Sequence, residues 1–558
     1  MIERASELLL QGNGSAALRL LEPAVLRYPE DAEIVTRYGD ALYTLERVTE
    51  ARAAYKRGLS SDDAILQAWY GLGCAEFSLG AYAAAIESFT RAVALDGRDG
   101  DARMYLAKCL FHMGHVDEAI REYRAVARGH DTELRRKALG EIAKIVPDSP
   151  SVGNAEILKA RVAWAKAGAK IERPAVKLRS RGHARGNSTR RKIRVGYVSA
   201  FYGSRNWMKP VWGVINEHDR SRFEIVMFAD RAKPSAEGGY RQHRDDAIED
   251  ITGLTNEAAA KRIARSRIDV LVDLNGYSFA SRLGMFMRKP ATVVVGWFNT
   301  YATTGIRAFD YVVGDESVVP AAEEPFYTER VLRVSGSYLA FRVLYPVPEV
   351  APPPCLATGA ITFGCFAPQY KITDEMIATW AQILSAVPRS RLILKNNCLD
   401  EESNRSAVFG RFARLGVTQE RVTLEPPAEH YEFLKAYARV DIALDTFPYN
   451  GGTTTMEALW QGVPVLTFNG DRWVSRTSRS LLRAGGLAEW DMPSRSAYAK
   501  RAIDLGVARE TPAMLAGLRN DMRARIAASA ACDTKTLCVE LQRHYEKIVR
   551  PSAASRAG

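Results

Sequence analysis

No apolar run in this 558-residue chain reaches the about 18 residues a membrane-spanning helix needs, so no membrane span is expected. Cysteine is sparse. The seven residues at 74, 109, 355, 365, 398, 532 and 538 are odd in number, scattered, and never spaced Cys-x-x-Cys, which argues against a disulfide framework or a structural zinc site. A reducing, cytoplasmic setting is the expectation. The opening Met1-Ile-Glu-Arg-Ala-Ser-Glu7 places acids ahead of a leucine run, unlike a secretory leader. Acidic residues are absent from Arg173 to Arg194, where nine positive charges accumulate; they account for most of the net +12 and leave the remainder close to +3. The basicity is therefore local, and nucleic acid is not an expected partner.

The length allows three or four domains at about 150 residues each. Apolar residues at 47% and charged residues at 25% are a globular balance, which excludes a mostly disordered chain. A 34-residue period runs through the first quarter. Gly12, Glu46, Gly80 and Gly114 form one column; Ala17, Ala51, Ala85 and Ala119 a second; Leu21, Tyr55, Phe89 and Tyr123 a third; Gly39, Gly73 and Ala107 a fourth. Small residues let paired helices approach, and the aromatic fills the space toward the next pair. The period is that of the tetratricopeptide repeat, whose groove would take a protein or peptide. Helices over about 131–145 and 153–170 follow, broken by Pro147-Asp-Ser-Pro-Ser151, and the basic stretch reads as an exposed linker.

From Ile193 short β-branched runs alternate with helical patterns: 193–200, 223–229, 269–274, 292–297 and 311–314. After Pro352–Pro354 come 361–366, 391–395, 421–424, 440–444 and 463–468. Such alternation predicts two doubly wound parallel sheets, with ligands outside the carboxyl ends of their strands. The expected division is repeats over 1–135, extension and linker over 136–191, one α/β half over 192–350 and a second over 351–550.

Chemistry gathers at Asp445-Thr-Phe-Pro-Tyr-Asn-Gly-Gly-Thr-Thr-Thr-Met-Glu457. A strand ends, a tight turn through Asn450, Gly451 and Gly452 follows, and a helix opens at Thr453, Thr454 and Thr455. Converging backbone N–H groups, threonine hydroxyls and the helix dipole suit a diphosphate there. Glu457, one turn on, is placed to accept from ribose hydroxyls. Lys371, just past the strand 361–366, is placed to meet pyrophosphate charge. Asp273 and Asn275 stand where another strand meets its loop, and either orient a sugar or acceptor hydroxyl or cap the next turn.

Repeats, two α/β halves and this glycine–threonine turn together resemble the protein O-GlcNAc transferase/SPINDLY family. Val195-Gly-Tyr-Val-Ser199, Asp273-Leu-Asn-Gly-Tyr277 and Tyr370-Lys371 extend the resemblance over nearly the whole chain. It implies a GT-B fold and an inverting, metal-independent transfer from a nucleotide sugar to a protein side chain, with no cofactor; no Asp-x-Asp occurs in 192–545. By position, Lys371 matches the lysine holding the donor pyrophosphate, Thr453 and Thr454 the paired threonines, and Glu457 the acid facing the ribose. Phe433 stands where a histidine lies against the uracil. The family's Gly-x-His-Pro loop reads Gly203-Ser-Arg-Asn-Trp-Met-Lys209, so Arg205 replaces its histidine; Tyr-Pro-Gly-Thr reads Thr300-Tyr-Ala-Thr303, and Pro368-Gln369 precedes Tyr370. Arg205, Asn275, Tyr277 and Thr303 are thus the acceptor-side candidates, with Asp273, a donor phosphate oxygen or water as base. UDP-GlcNAc with serine or threonine is the favoured pairing; GDP-fucose, UDP-glucose with asparagine, and an inactive repeat scaffold stay open.

Overall fold

The structure is a computed structural model describing residues 1–169 and 191–549, except the side chains of residues 169 and 205. The basic stretch up to residue 190 lies outside the described residues.

The 34-residue period folds as consecutive antiparallel helices: α1 (Ile2–Leu10), α2 (Gly14–Arg27), α3 (Ala32–Thr44), α4 (Val48–Ser61), α5 (Leu66–Ser78), α6 (Tyr82–Leu95), α7 (Gly100–His112), α8 (Val116–Ala127) and α9 (Thr132–Ile145). Side-chain caps set several starts: Asn13 accepts from Ala16 N, Asp31 from Ile34 N and Asp99 from Ala102 N. The alanine column is wholly buried, and so are Leu21, Tyr55, Phe89 and Tyr123. A Cβ on Gly39 would lie 2.8 Å from the Tyr55 ring, and one on Gly73 2.8 Å from Phe89, so the small column exists to admit the aromatic one. Helix α10 (Asn154–Ala169) follows the Pro147 break.

By packing, the chain divides into two units that are not continuous in sequence. The first joins Met1–Ile145 to Phe366–Ala381 and Ile393–Pro427; the second takes Val146–Cys365, Gln382–Leu392 and the chain from Ala428 onward. The second unit holds a seven-stranded sheet made of β1 (Ile193–Ser199), β2 (Phe223–Ala229), β3 (Ala247–Asp250), β4 (Val270–Asp273), β5 (Val293–Gly296), β6 (Tyr311–Asp315) and β7 (Arg330–Val334). Its order is β3-β2-β1-β4-β5-β6-β7, parallel throughout, with Val195 beside Val270 and Val198 beside Asp273. The topology reverses between β1 and β4, where α/β sheets open a crevice. The strands of the second α/β half are β8 (Thr362–Cys365), β9 (Arg391–Lys395), β10 (Val422–Glu425), β11 (Ile442–Leu444), β12 (Val465–Phe468) and β13 (Asp491–Met492). Within the second unit β11 lies between β8 and β12, parallel to both, and β13 flanks β12. Helical repeats followed by two parallel-sheet domains are thus the architecture the patterning predicts.

One core contact of this unit carries a pH dependence. His218 is buried beside Tyr197, whose hydroxyl lies 2.7 Å from Nε2, and Gln542, 3.3 Å from Nδ1. Burial, helped by the Arg220 charge, pulls its pKa down to about 3. The unfolded chain, near the ordinary histidine value, binds the proton first, so stability is full at neutral pH and falls as pH drops below about 6.5. In His218→Gln the melting temperature should decline less steeply between about pH 6.5 and 4; an unchanged slope in thermal melts would remove His218 from this role.

Candidate active site

The turn after β11 is built by its own side chains. Asp445 is buried; one carboxylate oxygen accepts from Gly451 N at 2.8 Å and the other from Thr467 Oγ1 at 2.7 Å. Burial raises its pKa, and these hydrogen bonds work against the rise. Asn450 Nδ2 donates to the Thr446 carbonyl at 2.7 Å, and Thr446 Oγ1 to that of Tyr449 at 2.6 Å. Gly451 must be glycine, because a Cβ there would sit 2.8 Å from Thr454 Oγ1. The helix Thr453–Trp460 then begins at Gly452 with no side-chain cap, leaving Thr453 and Thr454 half-exposed at its dipole-positive end. Thr455 turns inward instead: its Oγ1 lies 2.8 Å from Ser478 Oγ, which in turn donates to the Gly451 carbonyl at 3.0 Å. Of the three threonines, two remain to meet an anion and the third holds the turn.

Glu457 departs from the sequence reading. Rather than an open acceptor it is 4% exposed and paired with Lys209 Nζ, while His430 Nε2 lies 2.9 Å away. A carboxylate this deep needs a cation, and helix Arg205–Glu217 of the first α/β half delivers one. Lys209 also lies 3.0 Å from His430 Nε2 and 4.4 Å from the centre of the Tyr345 ring. Burial works to raise Glu457, but the His430 hydrogen bond and the Lys209 charge outweigh it and hold the carboxylate below its ordinary range. Lys209, Tyr345, Thr453, Met456, Glu457 and Trp460 line a small pocket at this point. Phe433 is half-buried on the helix His430–Lys435, its ring edge-on to Tyr437 at 6.0 Å. The sequence reading missed His430, whose one signal was its place one helical turn ahead of Phe433.

Lys371 belongs to the first unit. It ends the single 3₁₀ turn Gln369–Lys371, is 8% exposed, and its N–H donates to the Pro368 carbonyl at 3.0 Å. Tyr370 beside it stacks on Phe111 of α7, centroids 5.1 Å apart and planes at 22°.

The first-half candidates are engaged inside the fold. Asp273 is 1% exposed, its two oxygens accepting from Asn275 N at 3.0 Å and Gly276 N at 3.1 Å, the turn-capping arrangement; burial pushes its pKa up to about 7 against those bonds. Asn275 Oδ1 accepts from Ala200 N. Tyr277 donates to the Thr304 carbonyl at 2.6 Å beneath the Arg161 guanidinium, and Thr303 Oγ1 donates to buried Glu329 at 2.8 Å. Arg205 opens its helix, and its side chain is outside the described residues. Composition gave no notice of an aromatic cluster here: Phe201 stacks on Trp207 at 4.2 Å, with Phe279 edge-on to both and 68% exposed. Among the described residues no group of three His, Cys, Asp or Glu side chains is arranged to hold a metal ion.

Two parallel α/β sheets, one carrying a glycine–threonine helix start, define a glycosyltransferase architecture behind a repeat module. The sequence model of Glycosyl transferase family 41 matches residues 170–341 and 354–541, and the chain belongs to that family. Tetratricopeptide-repeat models match residues 2–64 and 76–142. The probable UDP-N-acetylglucosamine–peptide N-acetylglucosaminyltransferase SPINDLY of Petunia hybrida is 31% identical over 370 residues, 64% of this chain and 39% of that protein. The Arabidopsis thaliana SPINDLY protein is 32% identical over 368 residues with the same coverage. The chain thus spans about two-fifths of the length of these curated relatives. A solved lysine-to-methionine mutant of the Thermobaculum terrenum O-GlcNAc transferase superposes with a TM-score of 0.78 at 28% identity, covering 98% of this chain and 99% of that one.

Proposed function

We propose that this protein transfers N-acetylglucosamine from UDP-GlcNAc to serine or threonine hydroxyls of a protein, with inversion at the anomeric carbon. The observation that carries this reading is the uncapped start of the helix Thr453–Trp460, with Gly451 and Gly452 before it and two hydroxyls on its first turn, in a chain of this family. A diphosphate at that end meets N–H groups, hydroxyls and dipole together. The acceptor oxygen attacks C1 from the face opposite the leaving group. The C1–O bond to the β-phosphate breaks, its electron pair stays on the departing UDP, and the acceptor proton passes to a donor phosphate oxygen or to water. Lys371, Thr453 and Thr454 meet the charge that develops on UDP, which preorganised groups do without reorganisation at the moment of reaction. The two carboxylate oxygens of Asp273 already accept backbone N–H groups, which favours donor oxygen or water as the base. The repeat groove holds the acceptor polypeptide, and holding it supplies proximity. The setting proposed is the reducing cytoplasm, in keeping with seven cysteines none of which is disulfide-bonded.

GDP-fucose is the second reading, favoured by Phe433, which offers a flat face to any base and no polar edge to select uracil. Calorimetric titration with UDP and with GDP separates the two. UDP should bind at least about tenfold more tightly, a difference near 1.4 kcal/mol. A preference for GDP would transfer the proposal to fucose, and binding of neither would leave a scaffold.

A further inference from the structure

The column of Gly12, Glu46, Gly80 and Gly114 holds the turn between paired helices, and all four residues have positive φ. Glu46 shows that this backbone accepts a side chain. A Cβ on Gly12 or Gly80 would meet nothing within 4 Å. Gly114 differs: a Cβ there would overlap the Ile372 carbonyl oxygen and lie 3.2 Å from that of Gln369. Its glycine is therefore required by the segment pressed against the turn, and that segment carries Lys371. Arg411, 4% exposed, ties the same two pieces together. Its Nη1 donates to the Met113 carbonyl at 3.0 Å, its Nη2 to that of Ile372 at 3.2 Å, and its Nε to Asp374 at 2.6 Å. The Phe111–Tyr370 stack closes the contact on the other side of the turn. All these residues belong to one unit.

We propose that the repeat turn at Met113–Gly114 is a working part of the donor subsite, with Gly114 and Arg411 as positioning residues for Lys371. The inference rests on the reading of Lys371 as the group that meets donor pyrophosphate. A 3₁₀ turn of three residues has little rigidity of its own; seated on a helical stack and pinned by a buried guanidinium, it holds the lysine in one place. The repeats then serve donor binding as well as the acceptor.

The test uses the full chain and UDP as calorimetric probe. Gly114→Ala should weaken UDP about tenfold, whereas Gly12→Ala, with the same backbone strain and no neighbour, should leave it unchanged. On a Lys371→Ala background Gly114→Ala should have no further effect, because it acts through the lysine. Arg411→Lys, which keeps the charge and loses the three-way fork, should reproduce the Gly114→Ala loss. Gly114→Ala should melt below Gly12→Ala, because its Cβ must displace the Ile372 carbonyl, and the expected result is a UDP loss in Gly114→Ala alone at a temperature where both variants are folded. An equal UDP affinity in both, or additive losses with Lys371→Ala, would overturn the positioning role. If Lys371→Ala itself leaves UDP binding intact, the donor reading fails and the inference falls with it.

Discussion

Lys371→Ala is expected to lower transfer at saturating donor by about 10²–10³-fold, the usual cost of removing one preorganised group from a developing anion. The fold should survive, because Lys371 ends a short turn whose backbone bond, from its N–H to Pro368, does not involve the side chain. Within one turnover the negative charge on the leaving diphosphate rises as the glycosidic bond breaks, so a fixed ammonium stabilises the transition state more than the bound ground state. The loss should therefore fall mainly on kcat, with a smaller weakening of UDP affinity. Thr453→Ala, which removes one hydroxyl and leaves the helix dipole, should cost less, about tenfold. Steady-state kinetics with UDP-GlcNAc and a serine-bearing acceptor, beside a melting curve for each variant, checks both. Turnover near wild type in Lys371→Ala would take the lysine out of the chemistry.

The contrast between Lys371 and Glu457 shows what a linear sequence displays and what it hides. Repeat columns are legible because packing repeats with the chain: Ala51 and Tyr55 must recur as Ala85 and Phe89 if each helix pair is to stack on the last. Central strands such as β1, β2 and β9 are legible because burial on both faces makes them apolar runs. The strands β3, β7 and β13 are not. β3 is the largely exposed Ala-Ile-Glu-Asp, β7 has its apolar run interrupted by Arg330 and Arg333, and β13 has two residues. The glycine–threonine turn is legible because all its parts are neighbours in sequence. Glu457's partners lie 248 and 27 residues away, so nothing local announces that the carboxylate is already engaged. Lys209, a lone lysine at the end of the Gly203–Lys209 loop in the sequence, is 6% exposed, buried by a long-range pairing. Thr303 and Tyr277 teach the same point: their partners Glu329 and Arg161 come from other elements, and only the fold shows them engaged.

Replacing Lys209 by methionine should then be among the most damaging changes in the second unit. The substitution keeps most of the volume and apolar stem but strands the Glu457 carboxylate, and breaking one side of a buried pair costs about 3–5 kcal/mol. His430 Nε2, 2.9 Å from the carboxylate, remains as its other polar neighbour. In the wild type Glu457 lies below the ordinary glutamate value of 4.5, so its contribution is present above that pH and is lost as pH falls through its lower folded value. Adding Glu457→Gln to Lys209→Met removes the stranded charge and should recover much of the loss, a coupling that a double-mutant cycle in urea would measure. If Lys209→Met unfolds with wild-type stability, the pair is not what holds this helix. The consequence reaches function because Glu457 sits one turn behind Thr453 and Thr454. A cation from the first α/β half, buried against the helix that opens the phosphate cradle, fixes where that helix start points, so Lys209→Met should weaken UDP even under conditions where it stays folded. The double variant should regain stability before it regains UDP affinity, since a neutral glutamine no longer draws helix Arg205–Glu217 onto the cradle.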